Sequence, residues 1–242
     1  MTYIVATLLS CAAAFAYERR RSWRWLAAVA AVPLLLVAAA RWNVGTDLRR
    51  TYLPEYRALE QMRGSVVPPA KVREFRRFAR RRLFGRTPER VCKHFKKVVR
   101  RSEPAYRLLM EGALRSGLGF RAVLATCALI SAACVFFAIF RFSRWPALAV
   151  FLYVATGNYF LSLNVMRQYV AVGIGLVAVA AAIDRRPWRF VVCVAAATAF
   201  HYSAVLLLPL YALSRVELNP RRGAAAVAAA VALSFVAAPA AA

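Results

Sequence analysis

Ionisable and hydrogen-bonding residues lie at the ends of apolar stretches that are long enough to cross a membrane. The side chains best suited to chemistry or binding are those of Arg41, Asp47, Tyr52, Glu103, Tyr106, Arg167, Gln168 and His201. An ionisable residue at the edge of a membrane is costly, which makes each of these a candidate functional residue. We expect them to share one membrane surface, because each lies at the same end of the spans predicted below.

Arg167 is the strongest candidate for binding an anion. It opens a long apolar stretch, and the N-terminal amides and dipole of a helix already favour negative charge. Its guanidinium adds a fork of donors that matches phosphate, and Arg41 is a second candidate for the same role. The alternative for both arginines is a side chain that only extends to the polar membrane interface.

His201, Asp47 and Glu103 are candidates for orienting or deprotonating a hydroxyl group. The imidazole of His201 lies between two apolar stretches, where it would accept or relay a proton. Each residue also has an ordinary structural explanation. His201 would be a satisfied buried histidine. Asp47 would cap the helix that carries Tyr52, and Glu103 would be a first-turn acid of a helix over residues 104–116.

The sequence predicts no metal centre, disulfide framework or cofactor. Asp47 and Glu103 have no cluster of further ligands beside them. The cysteines are odd in number and widely spaced, which matches neither disulfide nor metal-ligand spacing. We therefore expect a metal-independent reaction. The cysteines are Cys11, Cys92, Cys127, Cys134 and Cys193.

Composition places the chain in a membrane. Of its 242 residues, 62% are apolar, and the mean hydropathy is +0.52, whereas soluble domains average roughly 45 to 50% apolar residues. The 35 Lys and Arg against 10 Asp and Glu give a formal net charge of +25. Because the basic residues lie between apolar stretches, we expect contact with anionic lipid, phosphate or an acidic polymer, and no nucleic-acid partner.

The apolar stretches predict an all-α, polytopic membrane helix bundle with about seven spans, since each crossing needs about 17 to 25 mainly apolar residues. Pro146–Ile183 would make an unbroken helix of about 57 Å, so we expect two crossings with a turn within residues 157–164. His201 and Pro209 interrupt the next stretch. The predicted spans are Thr2–Tyr17, Trp25–Ala40, Val123–Phe140, the two crossings of Pro146–Ile183, Trp188–Leu213 and Ala224–Ala242.

Short basic loops predict the orientation. Residues 18–24, 141–145 and 184–189 fall on one side of the membrane, and basic residues mark the cytoplasmic side, so the N-terminus is expected outside. If residues 204–213 return as a short re-entrant leg, Arg215, Arg221 and Arg222 join this side. Broken backbone at membrane depth is tolerated only where protein or water covers it, so such a leg would mark a cavity.

Residues 41–119 form one long extracytoplasmic loop in this arrangement, within a single membrane domain that covers the whole chain. The loop carries 21 Lys and Arg against 7 Asp and Glu, and loops beyond about 60 residues largely escape the rule on positive charge. Helical spacing of apolar residues over residues 72–83 and 91–99 predicts two basic amphipathic helices. They would lie on lipid headgroups, or form a solvated charged face with no specific ligand.

Five motifs follow one another along the chain. They are Tyr17-Glu18-Arg19-Arg20 at the end of the first span, Arg41-x-x-x-Gly45-Thr46-Asp47-x-x-x-x-Tyr52, Glu103-Pro104-x-Tyr106, Asn164-x-x-Arg167-Gln168-x-x-Ala171 and Phe200-His201-x-Ser203-Ala204. In their residue types and their order they resemble motifs of the EpsG family of Wzy-like exopolysaccharide polymerases. The resemblance covers Met1 to about Leu213 and implies a bacterial inner-membrane protein that joins repeat units carried on polyprenyl pyrophosphate at the outer face.

The resemblance also implies partners and roles. The partners would be the lipid bilayer, a polyprenyl-pyrophosphate-linked oligosaccharide and other polysaccharide assembly proteins. The substrate would be bound by Arg167, Gln168, Arg41, Tyr52 and Tyr106, while His201, Asp47 or Glu103 would act on the acceptor hydroxyl. Family members are usually longer, so the chain resembles a C-terminally truncated member, and the basic stretch over residues 62–101 resembles an enlargement.

Two other functions are compatible with the sequence. One is a non-catalytic membrane component of a polysaccharide assembly or export complex, which would tolerate single substitutions of His201, Asp47 and Glu103. The other is a transporter of the lipid-linked sugar. Transporters usually show internal repeats of helices and charges at mid-membrane depth. The sequence shows no such repeat, and its candidate charges fall at one face.

Overall fold

A computed structural model describes residues 1–40, 47–62 and 102–215, together with the isolated positions 223, 224 and 228. Every regular element in these ranges is helical, which confirms the all-α prediction. Arg41, the two predicted amphipathic helices and nearly all of the predicted span Ala224–Ala242 lie outside the described residues.

Proline begins several of the helices, as its fixed φ and missing N–H favour at the first helical position. Pro104, Pro146 and Pro187 are the examples. In chain order the helices are α1 (Thr2–Arg19), α2 (Trp25–Ala40), a π-helix (Leu48–Tyr52) that continues into α3 (Leu53–Met62), α4 (Pro104–Arg115), α5 (Phe120–Phe142), α6 (Pro146–Ala155), α7 (Asn158–Asn164), α8 (Met166–Ile183), α9 (Pro187–Phe200), a 3-10 helix (Tyr202–Leu207) and α10 (Leu208–Leu213).

Two of the described helices, α5 and α8, are long and apolar enough to cross a membrane. The pair α6 and α7, bent by 55° at its break, would make a third crossing. The helix α2, the helix α9 and the segment Tyr202–Leu213 are apolar but shorter. The expected number of about seven spans is therefore not confirmed within the described part of the chain.

The stretch from Pro146 to Ile183 breaks twice, whereas its length predicted a single turn. Gly157 has a φ of 82°, in the left-handed region that ends helices readily. Val165 is the second break, and α8 begins directly after it, so Arg167 and Gln168 lie in the first turn of a span as predicted. The expected turn over residues 157–164 is wrong in detail, because most of it is α7, whose buried residues pack into the bundle.

The bundle is built by pairwise packing of neighbouring helices. The helix α1 packs on α2, α2 on α5, α5 on α8, and α8 on α9. Gly173 brings α8 close to α5, since a Cβ there would lie 3.0 Å from the Cβ of Cys134. Gly175 allows a similar approach by Leu207, whose Cδ1 would lie 3.0 Å away. These small residues therefore serve contacts within the chain.

The short basic loops gather at one end of the bundle, as predicted. Glu18 accepts a hydrogen bond of 2.7 Å from the backbone amide of Ala147, and Arg141 pairs with Asp184 at 2.7 Å. The helix α8 runs from the opposite end, where Arg167 lies in its first turn, to Asp184 at this basic end. The two ends of the bundle thus differ in their chemistry.

The chain turns back at His201, where the predicted interruption lies. Beyond it, Leu207, Leu210 and Tyr211 pack against the cluster that contains Phe190 of α9, and the Tyr211 ring centre lies 5.2 Å from that of Phe190. Phe190 is in the first turn of α9, close to the basic end. The segment Tyr202–Leu213 therefore follows the path predicted for a return leg.

Candidate functional site

Arg167 is the centre of an ion-pair cluster at the end of the bundle away from the basic loops. Its Nη1 atom lies 2.7 Å from Oε2 of Glu103 and 3.3 Å from Oε2 of Glu55. The Arg167 side chain is 16% exposed and each carboxylate side chain is 9% exposed. Because buried charges are stable only when paired, the cation and the acids depend on one another. Glu103 is therefore more than a first-turn acid.

The second oxygen of Glu103 contacts His201. The Nδ1 atom of His201 lies 3.1 Å from Oε1 of Glu103, and the ring is 34% exposed. An ionised carboxylate accepts a hydrogen bond from the tautomer that carries its proton on Nδ1, and in that neutral tautomer the lone pair is on Nε2. His201 and Glu103 are thus arranged as a histidine base with an orienting carboxylate.

Two tyrosine rings hold the guanidinium of Arg167. Its Cζ lies 5.1 Å from the ring centre of Tyr52 and 5.2 Å from that of Tyr106, within the range of cation–π attraction. Tyr52 is 4% exposed and Tyr106 is completely buried. Within the described part of the chain, the Tyr106 hydroxyl has no hydrogen-bond partner. Both rings therefore lie behind the arginine, between it and the core.

Burial raises the pKa of three groups around Arg167. Burial has the largest effect on Glu55, and the net result is a pKa above 4.5. The Arg167 charge and a hydrogen bond from Ser102 lower this pKa, and the Glu103 charge raises it. The Ser102 hydroxyl donates that hydrogen bond over 3.3 Å. Burial also raises the pKa of Tyr52 above 10 and that of Tyr106 well above 10. Both phenols are therefore neutral near pH 7.

Asp47 lies beside the cluster. Its backbone amide donates a hydrogen bond of 3.2 Å to Oδ1 of Asn164, which ties the start of the π-helix to the end of α7. Asp47 occupies the N-cap position of that helix, as the capping explanation expects, but its side chain makes no capping hydrogen bond there. The ion pairs described for Arg167 are with Glu55 and Glu103, and not with Asp47. Across the described ranges, no group of three or more His, Cys, Asp and Glu could hold a metal ion.

Gln168 is exposed and lies between two grooves that run along α8. One, here called the His201 groove, has a volume of about 320 Å³ and is lined by Gln168, His201, Ser203 and apolar residues that extend to Leu206. The other, here called the Asn158 groove, has a volume of about 480 Å³ and contains Asn158 among its lining residues. Gln168 is thus placed to touch a ligand in either groove.

Sequence reasoning missed Glu55 and Ser102. Glu55 follows Tyr52 by three residues and is 7% exposed, so it shares the buried face of its helix with Tyr56 and Leu59. An acid on the apolar face of an amphipathic helix is the feature that could have identified it. The position of Ser102, directly before Glu103, gives no comparable indication.

Comparison with models of protein families identifies the family of this chain. The model of the EpsG family matches residues 24–239, nearly the whole chain, and this range includes every residue of the cluster. No curated protein and no solved structure matches the chain. The family match agrees with the motifs quoted above and with apolar helices that can cross a membrane. The chain therefore belongs to the EpsG family.

Proposed function

We propose that this protein is a polysaccharide polymerase that joins repeat units carried on polyprenyl pyrophosphate. Membership of the EpsG family supports a polymerase-like membrane protein. The observation that carries the proposal is the Glu103 carboxylate, which contacts Arg167 through one oxygen and His201 through the other. A cation for a leaving pyrophosphate and a base for an attacking hydroxyl are thereby held side by side.

His201 acts as the general base in this proposal. The acceptor hydroxyl oxygen bonds to the anomeric carbon, and its proton passes to Nε2 of His201. The bond from that carbon to the pyrophosphate oxygen breaks, and polyprenyl pyrophosphate leaves with the electron pair. Glu103 keeps the imidazole in the required tautomer and stabilises the imidazolium that forms, as an orienting carboxylate does.

The charge of the cluster changes in step with this reaction. If Glu55 and Glu103 were both ionised, they would outnumber the charge of Arg167 and repel an anion. Burial raises the pKa of Glu55, a direction that lessens this repulsion, and Arg167 pairs with Glu103 at 2.7 Å. Proton transfer to His201 then adds positive charge as negative charge accumulates on the pyrophosphate. A charge that appears during the reaction stabilises the transition state more than the ground state.

The His201 groove suits the lipid part of the substrate. Its polar residues, Gln168, His201 and Ser203, lie at one end, and the remaining lining is apolar. Leu206, which lines it, is 77% exposed. A polyprenyl chain in the apolar part would leave its pyrophosphate near Gln168 and Arg167, where the donors are. The sequence predicts that Arg41 and Tyr52 bind this substrate and that Asp47 acts on the acceptor hydroxyl, and these roles remain predictions.

We also propose a membrane and an orientation for the protein. The cluster would face the outside of the bacterial inner membrane, with the basic end in the cytoplasm as the rule on positive charge favours. The lipid-linked oligosaccharide would reach the cluster from the outer leaflet. Other polysaccharide assembly proteins remain expected partners.

The test compares polymer and precursor in cells that lack the native gene and carry wild type, Arg167→Lys or Arg141→Lys. Lysine keeps a cation beside the acids but lacks the guanidinium fork, so polymer should fall on the order of 10²-fold while single lipid-linked repeat units accumulate. Arg141→Lys is the matched control, because that exposed ion pair lies at the basic end.

The outcomes separate the candidate functions. Normal polymer with Arg167→Lys contradicts the assignment of the pyrophosphate site. Loss of polymer without accumulated repeat units indicates transport or assembly rather than polymerisation. Protein level and thermal stability of each variant are measured alongside, because a misfolded variant would also lose polymer.

A further inference from the structure

The break between α6 and α7 exposes a connected set of polar groups. The Thr156 hydroxyl donates a hydrogen bond of 2.6 Å to the backbone carbonyl of Leu152 and accepts one of 2.9 Å from the side-chain Nδ2 of Asn158. The side-chain Oδ1 of Asn158 accepts one of 2.9 Å from the Tyr169 hydroxyl. Thr156 and Asn158 are both exposed. Each of these groups has further hydrogen-bonding capacity, since hydroxyl and amide groups have more donors and acceptors than these contacts use.

If the bent pair α6 and α7 is one crossing, these groups fall within it, where lipid chains are a poor environment for them. The bent pair α6 and α7 is apolar enough to count as one crossing, and its break follows ten residues of α6, or about 15 Å of helix. Hydrocarbon about 30 Å thick cannot hydrogen-bond to exposed polar groups. Broken backbone at such a depth is found where protein or a water-filled cavity covers it. The break therefore indicates a hydrated groove.

The Asn158 groove has the lining that carbohydrate recognition requires. Tyr153, Asn158, Gln168 and Tyr169 supply aromatic surface, amides and hydroxyls, and the rest of the lining is apolar. A sugar ring has an apolar C–H face that packs on such surfaces and hydroxyls that pair with amides and phenols. A mainly apolar cleft with a few placed polar groups is also the usual form of a specific small-ligand site.

The groove adjoins the Arg167 cluster. Tyr169 follows Arg167 by two residues on α8, a rise of about 3 Å along the helix. Gln168, between them, lines this groove and the His201 groove. A chain in the Asn158 groove would therefore end close to the Arg167 cluster, beside a lipid carrier in the His201 groove.

We propose that the Asn158 groove binds the acceptor glycan. This inference rests on the proposed function because only a transfer reaction makes the bound glycan an acceptor. Binding of an oligosaccharide to the groove can nevertheless be measured without any reaction. It gives the broken span a role, since water and sugar hydroxyls would satisfy the polar groups that the break exposes. It also assigns the two grooves beside Gln168 to the two substrates of a transfer reaction.

Binding of lipid-free oligosaccharide tests the proposal directly. The probe is a set of oligosaccharides of a few repeat units, prepared by partial acid hydrolysis of the exopolysaccharide of the host. The full chain is purified in lipid nanodiscs, and its Kd for the probe is measured for wild type, Tyr169→Phe and Asn158→Leu. Tyr211→Phe is the matched control, because its hydroxyl is also hydrogen-bonded but lies near the basic end.

Loss of one ligand hydrogen bond should raise the Kd of Tyr169→Phe by roughly three- to tenfold. Asn158→Leu, which removes an amide at similar size, should raise it at least as much, and Tyr211→Phe should match wild type. Tyr169→Phe keeps the ring and its packing, so it remains informative if Asn158→Leu is unstable. Wild type that does not bind the probe, or a Kd unchanged in both groove variants, overturns the proposal.

A parallel polymerisation assay separates this proposal from the function on which it rests. If wild type binds oligosaccharide through Asn158 and Tyr169 but does not extend lipid-linked repeat units, the groove assignment stands and the polymerase assignment fails. If wild type polymerises and the groove variants bind and extend normally, the polymerase assignment stands and the groove assignment fails.

Discussion

Glu103 connects the two chemical functions of the cluster. One carboxylate oxygen holds Arg167 at 2.7 Å and the other holds His201 at 3.1 Å. A single side chain thus sets the distance between Arg167 and His201, the cation and the base of the proposed reaction. Glu55, on a different helix, shares the same arginine. The position of each side chain in the cluster therefore depends on the side chains with which it pairs.

Glu103→Gln should separate the role of charge from that of shape. The amide keeps the size of the side chain but does not stabilise an imidazolium as a carboxylate does. We expect turnover of lipid-linked repeat units in membrane vesicles to fall by about 10² to 10⁴-fold, with a smaller change in KM. Asp184→Asn is the control, since that acid is exposed and at the basic end. Turnover within twofold of wild type would exclude Glu103 from the reaction.

Glu55 should make thermal stability depend on pH. Burial raises its folded pKa above 4.5, so folding favours the protonated form. Stability from this group is complete below the ordinary pKa and is lost as pH rises through the folded pKa. The Tm of wild type should therefore fall relative to that of Glu55→Gln as pH rises from about 4.5. Parallel Tm curves for the two proteins over this range would contradict the shift.

At the scale of elements, α8 is the helix that positions the site. It carries Arg167 in its first turn, packs on α5 through Gly173, and approaches Leu207 through Gly175. Displacing α8 would move the arginine relative to the acids on α3 and before α4. The geometry of the cluster therefore depends on a close contact that lies several turns away from it.

Gly173→Val tests this dependence. A Cβ at position 173 would lie 3.0 Å from the Cβ of Cys134, which is not the mobile end of a side chain. Overpacking of this kind costs typically about 1 to 3 kcal/mol, so we expect a lower Tm in detergent and reduced polymer. Gly112→Ala is the control, because nothing lies within 4 Å of the added Cβ. An unchanged Tm for Gly173→Val would show that the helices separate without cost.

At the scale of the whole molecule, the two ends of the bundle differ in the charged groups that they carry. Three basic loops meet at one end, and the Arg167 cluster lies at the other. This division is what a transfer reaction at one membrane face requires. It also makes the orientation of the chain measurable at either end.

Single-cysteine labelling would measure the orientation. In a chain whose native cysteines are replaced, Ser116→Cys lies at the cluster end and Ser22→Cys at the basic end, and both serines are exposed. A maleimide that does not cross membranes should label Ser116→Cys in intact cells, and should label Ser22→Cys only after permeabilisation. The reverse result would place the cluster in the cytoplasm and contradict polymerisation at the outer face.

The local sequence determined the position of most of the described helices, although not the helix α7 or the π-helix. Apolar runs, the prolines at the starts of α4 and α6, and the break at His201 were sufficient to predict these elements. They also predicted that the short basic loops share one end and that Arg167 opens a span. Such features depend on residues close together in the chain, and their physical causes are hydropathy, capping and backbone geometry.

Only the tertiary structure decided which side chains meet. The partners of Arg167 are 64 and 112 positions away in sequence, and no spacing pattern predicts a contact at such separation. Packing of α3 on α4, and of α4 on α5 and α9, brought Tyr106 into the hydrophobic core that also contains Met166 and Val170 of α8. It buried Glu55 beside Arg167. It left Asp47 beside the cluster, tied to Asn164. The pairing of charges therefore follows from how the helices pack, because burial in a low-dielectric interior selects the partners that neutralise one another.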